Sequence, residues 1–507
     1  MSARRQRRRT KEVAPAAAPS FKPIKRPYAP INVLTEEEED RVHALSLQVL
    51  ERIGLKFMAE KSWPILEANG CAVDRETGIV RFPPDVVEHF LALAPGEFTM
   101  RARNPAHDLH FGGDDIHFGS ASSAPNVLDM DRGRRPGTQR DFEDLVKLNQ
   151  AIPTCAFHSG HPVEPIDTPV NTRHLTSMRA WQTLSDKVTR VYAIGETRVR
   201  DSLEMVSIAH DISREELSAE PRIHGGISVN SPLVVDEPLL EGAMELAANG
   251  QANIVSPVAF AGAMSPITLS GSLIQCNAEA IGVIAFLQMV RAGAPCFYGV
   301  LTTPIDMKSG APAMGVPETV TGTLSNGQMA RRYKLPQRLM LGSSSNAPDA
   351  QGTYETMFSL WASVLCGAHC VYHAHGWMEA GLTTGFEKTI IDAEMIGMMG
   401  ALSGRIDFSD AEEAIAAIEE VGPGGHFLGS SHTMARYQTA FHTPILSDWR
   451  PYEFWEADGS PDTAIRANAK WKEMLAAYEA PSLEPDRAEA LNAFVERRTR
   501  EIGNDEI

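Results

Sequence analysis

The sequence is short of the residues that mark several large classes of protein. Six cysteines occur in 507 residues (Cys71, Cys155, Cys276, Cys296, Cys366 and Cys370), scattered without the pairing of a metal site. Neither a disulfide scaffold nor a cysteine-ligated zinc centre is expected; these are free thiols of a reducing cytosol. Basic charge is also scarce, with 47 Lys and Arg against 65 Asp and Glu, a net charge of −18. That balance repels phosphate backbones and anionic bilayers, so nucleic acid and membrane are not expected partners. No stretch is read as the ~20 apolar residues needed to cross a bilayer. The N-terminal SARRQRRRTKEVAPAAAPSFKPIKRP has positive charge but no apolar run of signal-peptide length behind it, so it predicts a disordered arm on a cytoplasmic protein.

A repeated pattern is present instead. Eight short apolar, β-branched runs begin near Ile116, Cys155, Val188, Arg222, Ala252, Pro295, Gln337 and Cys370, each ending in Gly, Ser, Pro or a polar residue before a helix-patterned stretch. The spacing of roughly 30 to 45 residues is that of a βα unit with a full crossover helix. Eight such units bury both faces of every strand by closing into a cylinder, which predicts a (β/α)8 TIM barrel with helical N- and C-terminal extensions. The predicted division is a disordered basic arm over 1–30, an N-terminal helical extension over 31–115, the barrel over 116–405 and a C-terminal helical extension over 406–507. Function is then expected where strands end and helices begin.

Several local motifs bear on chemistry. TEEEEDRVHALSLQVLERIGL opens with a Thr cap and acids in its first turn, the signature of a helix start. DLHFGG, from Asp108 to Gly113, matches the D-x-H-x-x-G pattern by which corrinoid-carrying domains supply histidine to cobalt. It precedes a strand and lacks the surrounding βαβ unit, so a polar turn is expected. His373 and His375 end the eighth run with strand spacing, which puts two imidazoles on one face. Without further ligands at the other strand ends, they read as substrate contacts or a hydrogen-bonded core pair, not as a metal site. After the seventh run, LGSSSNAPDAQ places small residues where a ligand can approach the backbone. There Asp349 and Gln351 either cap the next helix or face a ligand.

Taken together, these residues resemble the trimethylamine methyltransferase superfamily, whose members pass a methyl group from an amine to a corrinoid protein. The resemblance rests on IHFGSASSAPNVLDMDRGRRPGT with TQRDFEDLVKLNQAIP, on TTPIDMKSGAPAMGVPE, on LGSSSNAPDAQ, and on the run from GGHFLGSSHTMARYQ to KWKEML. It implies a (β/α)8 barrel and a corrinoid (cobalamin) carried by a partner protein and not by this chain. Family enzymes acting on trimethylamine carry pyrrolysine in the loop that aligns here with Ser344. Its absence implies a member acting on quaternary amines such as betaines.

The chemistry agrees with that division. A carbon–nitrogen bond breaks readily only if nitrogen leaves as a neutral amine, which a quaternary ammonium already ensures. The site must then hold a permanent cation, orient one methyl and exclude water. Positions at strand ends nominate Ser344, Glu196 and Glu318 as catalytic residues. Tyr298 and Trp377 are expected to form a cation box, with Glu196 or Glu379 as counter-charge. His373, His375, Asp349 and Gln351 complete the expected substrate contacts, with His375 or Gln351 holding a substrate carboxylate. Long terminal helices with apolar stripes predict a homo-oligomer. The rival readings are trimethylamine itself as substrate, a metal-dependent hydrolase built on His373 and His375, and a binding protein for quaternary amines without catalysis.

Overall fold

The structure, a computed structural model, describes residues 24–404 and 406–503. Residues 1–23 of the expected basic arm lie outside the described residues. Seven of the eight apolar runs form strands where the pattern places them: Asp115–Phe118, Thr189–Arg190, Ile223–Ile227, Ala252–Val255, Cys296–Tyr298, Arg338–Met340 and Cys370–Tyr372. The run at Cys155 contributes Phe157 alone, which makes isolated parallel bridges to Gly119 and Val188.

The expected single closed eight-stranded parallel barrel is corrected by the ladders these strands form. They divide into several small sheets. One is parallel, running through Thr189–Arg190, Ile223–Ile227, Ala252–Val255 and Cys296–Tyr298. A second, mixed sheet holds Arg338–Met340, Cys370–Tyr372 and Asp115–Phe118 in parallel, with Ile24–Lys25 added antiparallel on Ile116 and Asp115. Among the described residues, the two are linked by the isolated bridges at Phe157 and at Tyr298–Gln337. The physical reason is strand length. The strands are two to five residues long and most are cut by glycine or a polar residue, which limits how many ladder pairs each can form. Beyond the strand ends the chain forms separate pairs, such as Val258–Ala261 with Leu301–Pro304.

Rings from several strands and an N-terminal hairpin fill the space under the strands' C-terminal ends. Phe98, Phe111, Phe157, Phe297 and Tyr372 share one apolar cluster, with Phe111 and Phe297 edge to face at 4.8 Å. Such pairs contribute about 0.5–1.5 kcal/mol beyond their burial. The DLHFGG segment is therefore not a free turn: Leu109–Phe111 is a strand paired antiparallel with Phe98–Met100.

Helix Glu36–Arg52 starts as its sequence predicts, with Thr35 and Glu38 in a reciprocal capping box. It packs on Leu269–Val290, a 22-residue helix whose apolar window is long enough to cross a membrane. The expectation that no such span exists is thus amended. With 78% of that window buried, its apolar character is accounted for by packing on all sides. At the C-terminus, Thr463–Ala476 packs on helix Phe386–Leu402, where the Trp471 indole donates to Glu387 at 3.0 Å.

Candidate functional site

A cavity of about 280 Å³ opens at the C-terminal ends of the parallel strands. Its wall takes Arg190, Gly226, Ile254, Arg338, Met340 and Tyr372 from strands in both parallel groups, Phe260 and Trp377 from the short strands Val258–Ala261 and Trp377–Met378, and Ser122, Ser256, Met314 and His373 from connecting segments. Among the described residues lining it, two are arginines and none carries a carboxylate.

Both arginines approach the ring of Tyr372. The Arg338 guanidinium lies 4.4 Å from the Tyr372 ring centroid and the Arg190 guanidinium 5.9 Å from it. Arg338 donates to Ser256 Oγ at 3.1 Å, and its Nε has no hydrogen-bond partner. Burial pushes this guanidinium down to about 10, so it is charged at neutral pH. Arg190 donates to the Ser159 carbonyl at 3.2 Å and to Ser122 Oγ at 3.3 Å. Gly226 admits it closely: a Cβ there would fall 2.7 Å from Arg190 Nη2. The Tyr372 hydroxyl pairs with His224 Nδ1 at 2.5 Å, and burial raises its phenol far above the ordinary range.

Next to Tyr372 the wall continues with further rings, the Tyr372 and His373 centroids lying 5.9 Å apart. His373 leans on Trp377 with centroids 5.0 Å apart and planes inclined at 30°. His373 adopts a left-handed φ of 56° immediately after the strand ends. Alternation therefore stops at Tyr372, and the two histidines do not share a face as the strand spacing predicted. His373 reaches the cavity, with Nδ1 buried and unpartnered. Burial, with Arg338 and Arg190 nearby, holds it neutral, well below the usual imidazole range. His375 instead packs inward, pairing with the Gly119 carbonyl at 3.0 Å and Thr154 Oγ1 at 3.1 Å.

Of the other nominated residues, Trp377 alone joins His373 in the cavity wall. Tyr298 is fully buried on the helix side of its strand, where its hydroxyl donates to Asn277 at 2.8 Å. Glu196 begins helix Glu196–His210 and pairs with Lys61 at 2.8 Å, a contact that lowers its carboxyl. Glu318 is exposed in the first turn of Pro317–Arg332. Glu379 adjoins the cavity but is gripped by Arg134, with both carboxylate oxygens 3.0 Å from Nε. Ser344 is built into its loop, donating to the Pro312 carbonyl at 3.0 Å and accepting from the Met314 amide at 2.8 Å. Asp349 caps helix Ala350–Cys366 through the Gly352 amide, and Gln351 bonds Glu355.

Arg190 and Arg338 were not nominated from sequence, although a signal existed. Each is a lone charge inside an apolar strand run, VTRVYAIG and QRLMLG, where a buried charge needs a partner. Among the described residues no group of three or more His, Cys, Asp or Glu could hold a metal ion. His110 of DLHFGG pairs with Asp115 at 3.0 Å.

The family described as "Trimethylamine methyltransferase (MTTB)" matches residues 1–503. The chain belongs to this family, an enzyme family of corrinoid-dependent amine methyltransferases. It is 34% identical over 475 residues to the glycine betaine methyltransferase of Desulfitobacterium hafniense (strain Y51), covering 94% of this chain and 98% of that protein. It is 28% identical to the trimethylamine methyltransferase MttB of another strain of that species, DSM 10664 / DCB-2, covering 92% and 94%. Among solved structures, the Methanosarcina barkeri monomethylamine methyltransferase aligns with a TM-score of 0.48 at 10% identity, over 87% of this chain and 92% of that one.

Proposed function

We propose that this chain removes a methyl group from a quaternary amine that also bears a carboxylate, a betaine, and does so in the cavity between Arg190, Arg338 and Trp377. The observation that carries this reading is the make-up of the wall: two guanidiniums and no carboxylate among its described lining residues, together with the rings of Trp377 and Phe260. A simple cation would meet net repulsion there. A zwitterion sets its carboxylate against Arg190 and Arg338 and its trimethylammonium against Trp377 and Phe260. Charge-assisted bonds of the first kind contribute about 1.5–3 kcal/mol each, and cation–π contacts about 0.5–2 kcal/mol. His373 Nδ1 and Arg338 Nε add two polar atoms with free hydrogen-bonding capacity on the same wall. The relative that acts on glycine betaine supports the same substrate class.

A Co(I) corrinoid carried by a separate protein would supply the nucleophile that accepts the methyl group. The residues of this chain bind and orient. With the carboxylate fixed at the strand ends, the ammonium is held near Trp377 and one N-methyl points outward. Nitrogen keeps the bonding electron pair and leaves as a neutral tertiary amine, so no general acid is required. Glu196 and Glu318, which lie outside the cavity wall, have no part in this step. Ser344 acts by fixing Met314, a wall residue, through the amide it accepts from.

Isothermal titration with glycine betaine, choline and trimethylamine tests the reading, followed by mass-spectrometric detection of the demethylated amine with a corrinoid protein and reductant. Glycine betaine is expected to bind tightest. Tighter binding of choline or trimethylamine would reject it.

A further inference from the structure

Between the short strands Trp377–Met378 and Thr383–Gly385 the chain turns through Glu379, Ala380 and Gly381, at φ of 51°, 50° and 102°. All three lie in the left-handed region, which disfavours a residue bearing a Cβ. Glu379 and Ala380 bear one. Backbone of this kind persists where its surroundings over-determine it, and such residues cluster at ligand clamps. Here Ala380 and Gly381 line the cavity beside Trp377. Gly381 also lies against the indole, since a Cβ there would fall 2.7 Å from Trp377 Cζ2. The shape of this turn therefore sets the seat of the ring.

Hydrogen bonds from two sides define the turn. The Glu379 and Ala380 amides donate to the Ser345 and Ser343 carbonyls at 3.1 and 2.9 Å, and the Leu382 carbonyl accepts from the Asn126 side chain at 3.0 Å. A further contact grips a left-handed residue by its side chain. Arg134 Nε lies 3.0 Å from both carboxylate oxygens of Glu379, and Nη2 lies 3.0 Å from Oε2. The Glu379 side chain is 10% exposed and that of Arg134 47%, so Arg134 brings its charge from the rim to a sheltered carboxylate.

Arg134 is presented by a pinned hairpin. Strand Asn126–Asp129 pairs antiparallel with Gly133–Pro136 and, along its other edge, parallel with Thr383–Gly385, so hairpin and turn share one sheet. Of the three arginines in DRGRRPG, Arg132 and Arg135 each lie 2.8 Å from the buried Asp129 carboxylate, and Arg135 also reaches Asp141 at 2.6 Å. Side chains alternate along a strand, so Arg134 points to the face opposite Arg135. It is left for Glu379. At the hairpin tip the Met130 amide donates to Glu387 at 3.2 Å, a carboxylate that also accepts from Asn468 and Trp471. The C-terminal helix Thr463–Ala476 thereby steadies the hairpin that holds the turn.

We propose that Arg134 is a positioning residue: through Glu379 it fixes the turn at 379–381, and so Trp377, in the form that receives the ammonium of the substrate. The ammonium's part rests on the betaine reading, whereas the hold on the turn does not. Arg134→Gln is expected to quicken deuterium exchange over 376–385 and to weaken glycine betaine binding, each by about fivefold, the upper end for a half-exposed pair. Exchange in Arg338–Met340 and Cys370–Tyr372 is expected to stay as in wild type, and Arg134→Lys to recover part of both losses. Arg134→Gln/Glu379→Gln leaves no freed carboxylate to attract the ammonium and is expected to bind as weakly as Arg134→Gln. In a Trp377→Ala background, Arg134→Gln is expected to cost no further affinity, because its effect passes through the ring. Unchanged exchange over 376–385 would overturn the hold on the turn, and an undiminished loss in the Trp377→Ala background would overturn its passage through Trp377. Wild-type protein that binds no glycine betaine would overturn the betaine reading and the ammonium's part with it, and exchange then decides the hold by itself.

Discussion

Replacing Arg338 by methionine separates a carboxylate anchor from a general-purpose wall residue, because the sign of its effect depends on the ligand. With a carboxylate oxygen about 3.5 Å from the guanidinium and the ammonium about 6 Å away, an effective dielectric constant of about 20 gives attraction near 4.7 kcal/mol and repulsion near 2.8 kcal/mol. The difference, about 2 kcal/mol, is a loss of about 25-fold in glycine betaine affinity at ~1.4 kcal/mol per tenfold. Choline has the same ammonium without the carboxylate, so Arg338→Met removes only repulsion and choline binds more tightly. The side chain is buried and its neighbour Ser256 still donates to the Gly299 carbonyl at 3.1 Å, so the fold tolerates the change. Calorimetric titration of both ligands against wild type and variant is the assay. Equal weakening of the two, or no change for glycine betaine, refutes the reasoning.

Other perturbations bear on the same wall and on the fold. Gly226→Ala puts a methyl group 2.7 Å from Arg190 Nη2 and displaces the guanidinium; glycine betaine affinity should fall about tenfold, a loss in the range of one charge-assisted bond, with thermal stability nearly unchanged by calorimetry. Trp377→Ala should weaken glycine betaine by about 3- to 30-fold, the cation–π range, and Trp377→Phe should recover most of it in the same titration. His117, His369 and His375 are each pushed down by burial to about 4 from an ordinary 6.5. Their unfolded forms take up protons below about 6.5 while the folded forms do not until about 4. The stability they contribute is therefore complete above that window and lost as pH falls through it, by up to about 1.4 kcal/mol per pH unit for each. Melting temperature should drop between pH 7.5 and 5.5, and a rise on acidification would contradict this account.

How far the site could be read in advance depended on backbone geometry that residue types do not reveal. The strand positions followed from apolar runs cut by glycine and polar residues, and Thr35 with Glu38 marked a helix start that formed as written. The closure into one sheet did not follow, because the pattern states where strands lie and not how many residues of each will pair; at Cys155 that number fell to the single residue Phe157. Tyr298 and Trp377 looked alike as aromatics near strand ends. One turned to the helix layer and Asn277, and the other to the cavity. His373 and His375 were separated by a left-handed φ at His373, unusual for a residue that is not glycine. Glu379 adjoined the cavity with its charge already committed to Arg134, a pairing between residues 245 apart in sequence.

The replacement of an expected carboxylate by two arginines alters the energetics of the reaction as well as recognition. A carboxylate beside the ammonium would stabilise the reactant and lose that attraction as nitrogen becomes neutral, so it would raise the barrier. Guanidiniums act in the opposite sense. In the proposed betaine complex, the ammonium held by the carboxylate of the same molecule would stand near two positive charges whose repulsion, about 2.8 kcal/mol apiece at ~6 Å, fades as the carbon–nitrogen bond breaks. Only interactions that differ between reactant and transition state accelerate the step. If half of that relief is realised at the transition state, one guanidinium contributes about tenfold to kcat. Arg190→Gln should therefore lower kcat for glycine betaine by about tenfold in addition to raising KM, measured with saturating corrinoid protein and reductant. A variant that raises KM and leaves kcat untouched would confine Arg190 to binding, and the electrostatic contribution argued here would be absent.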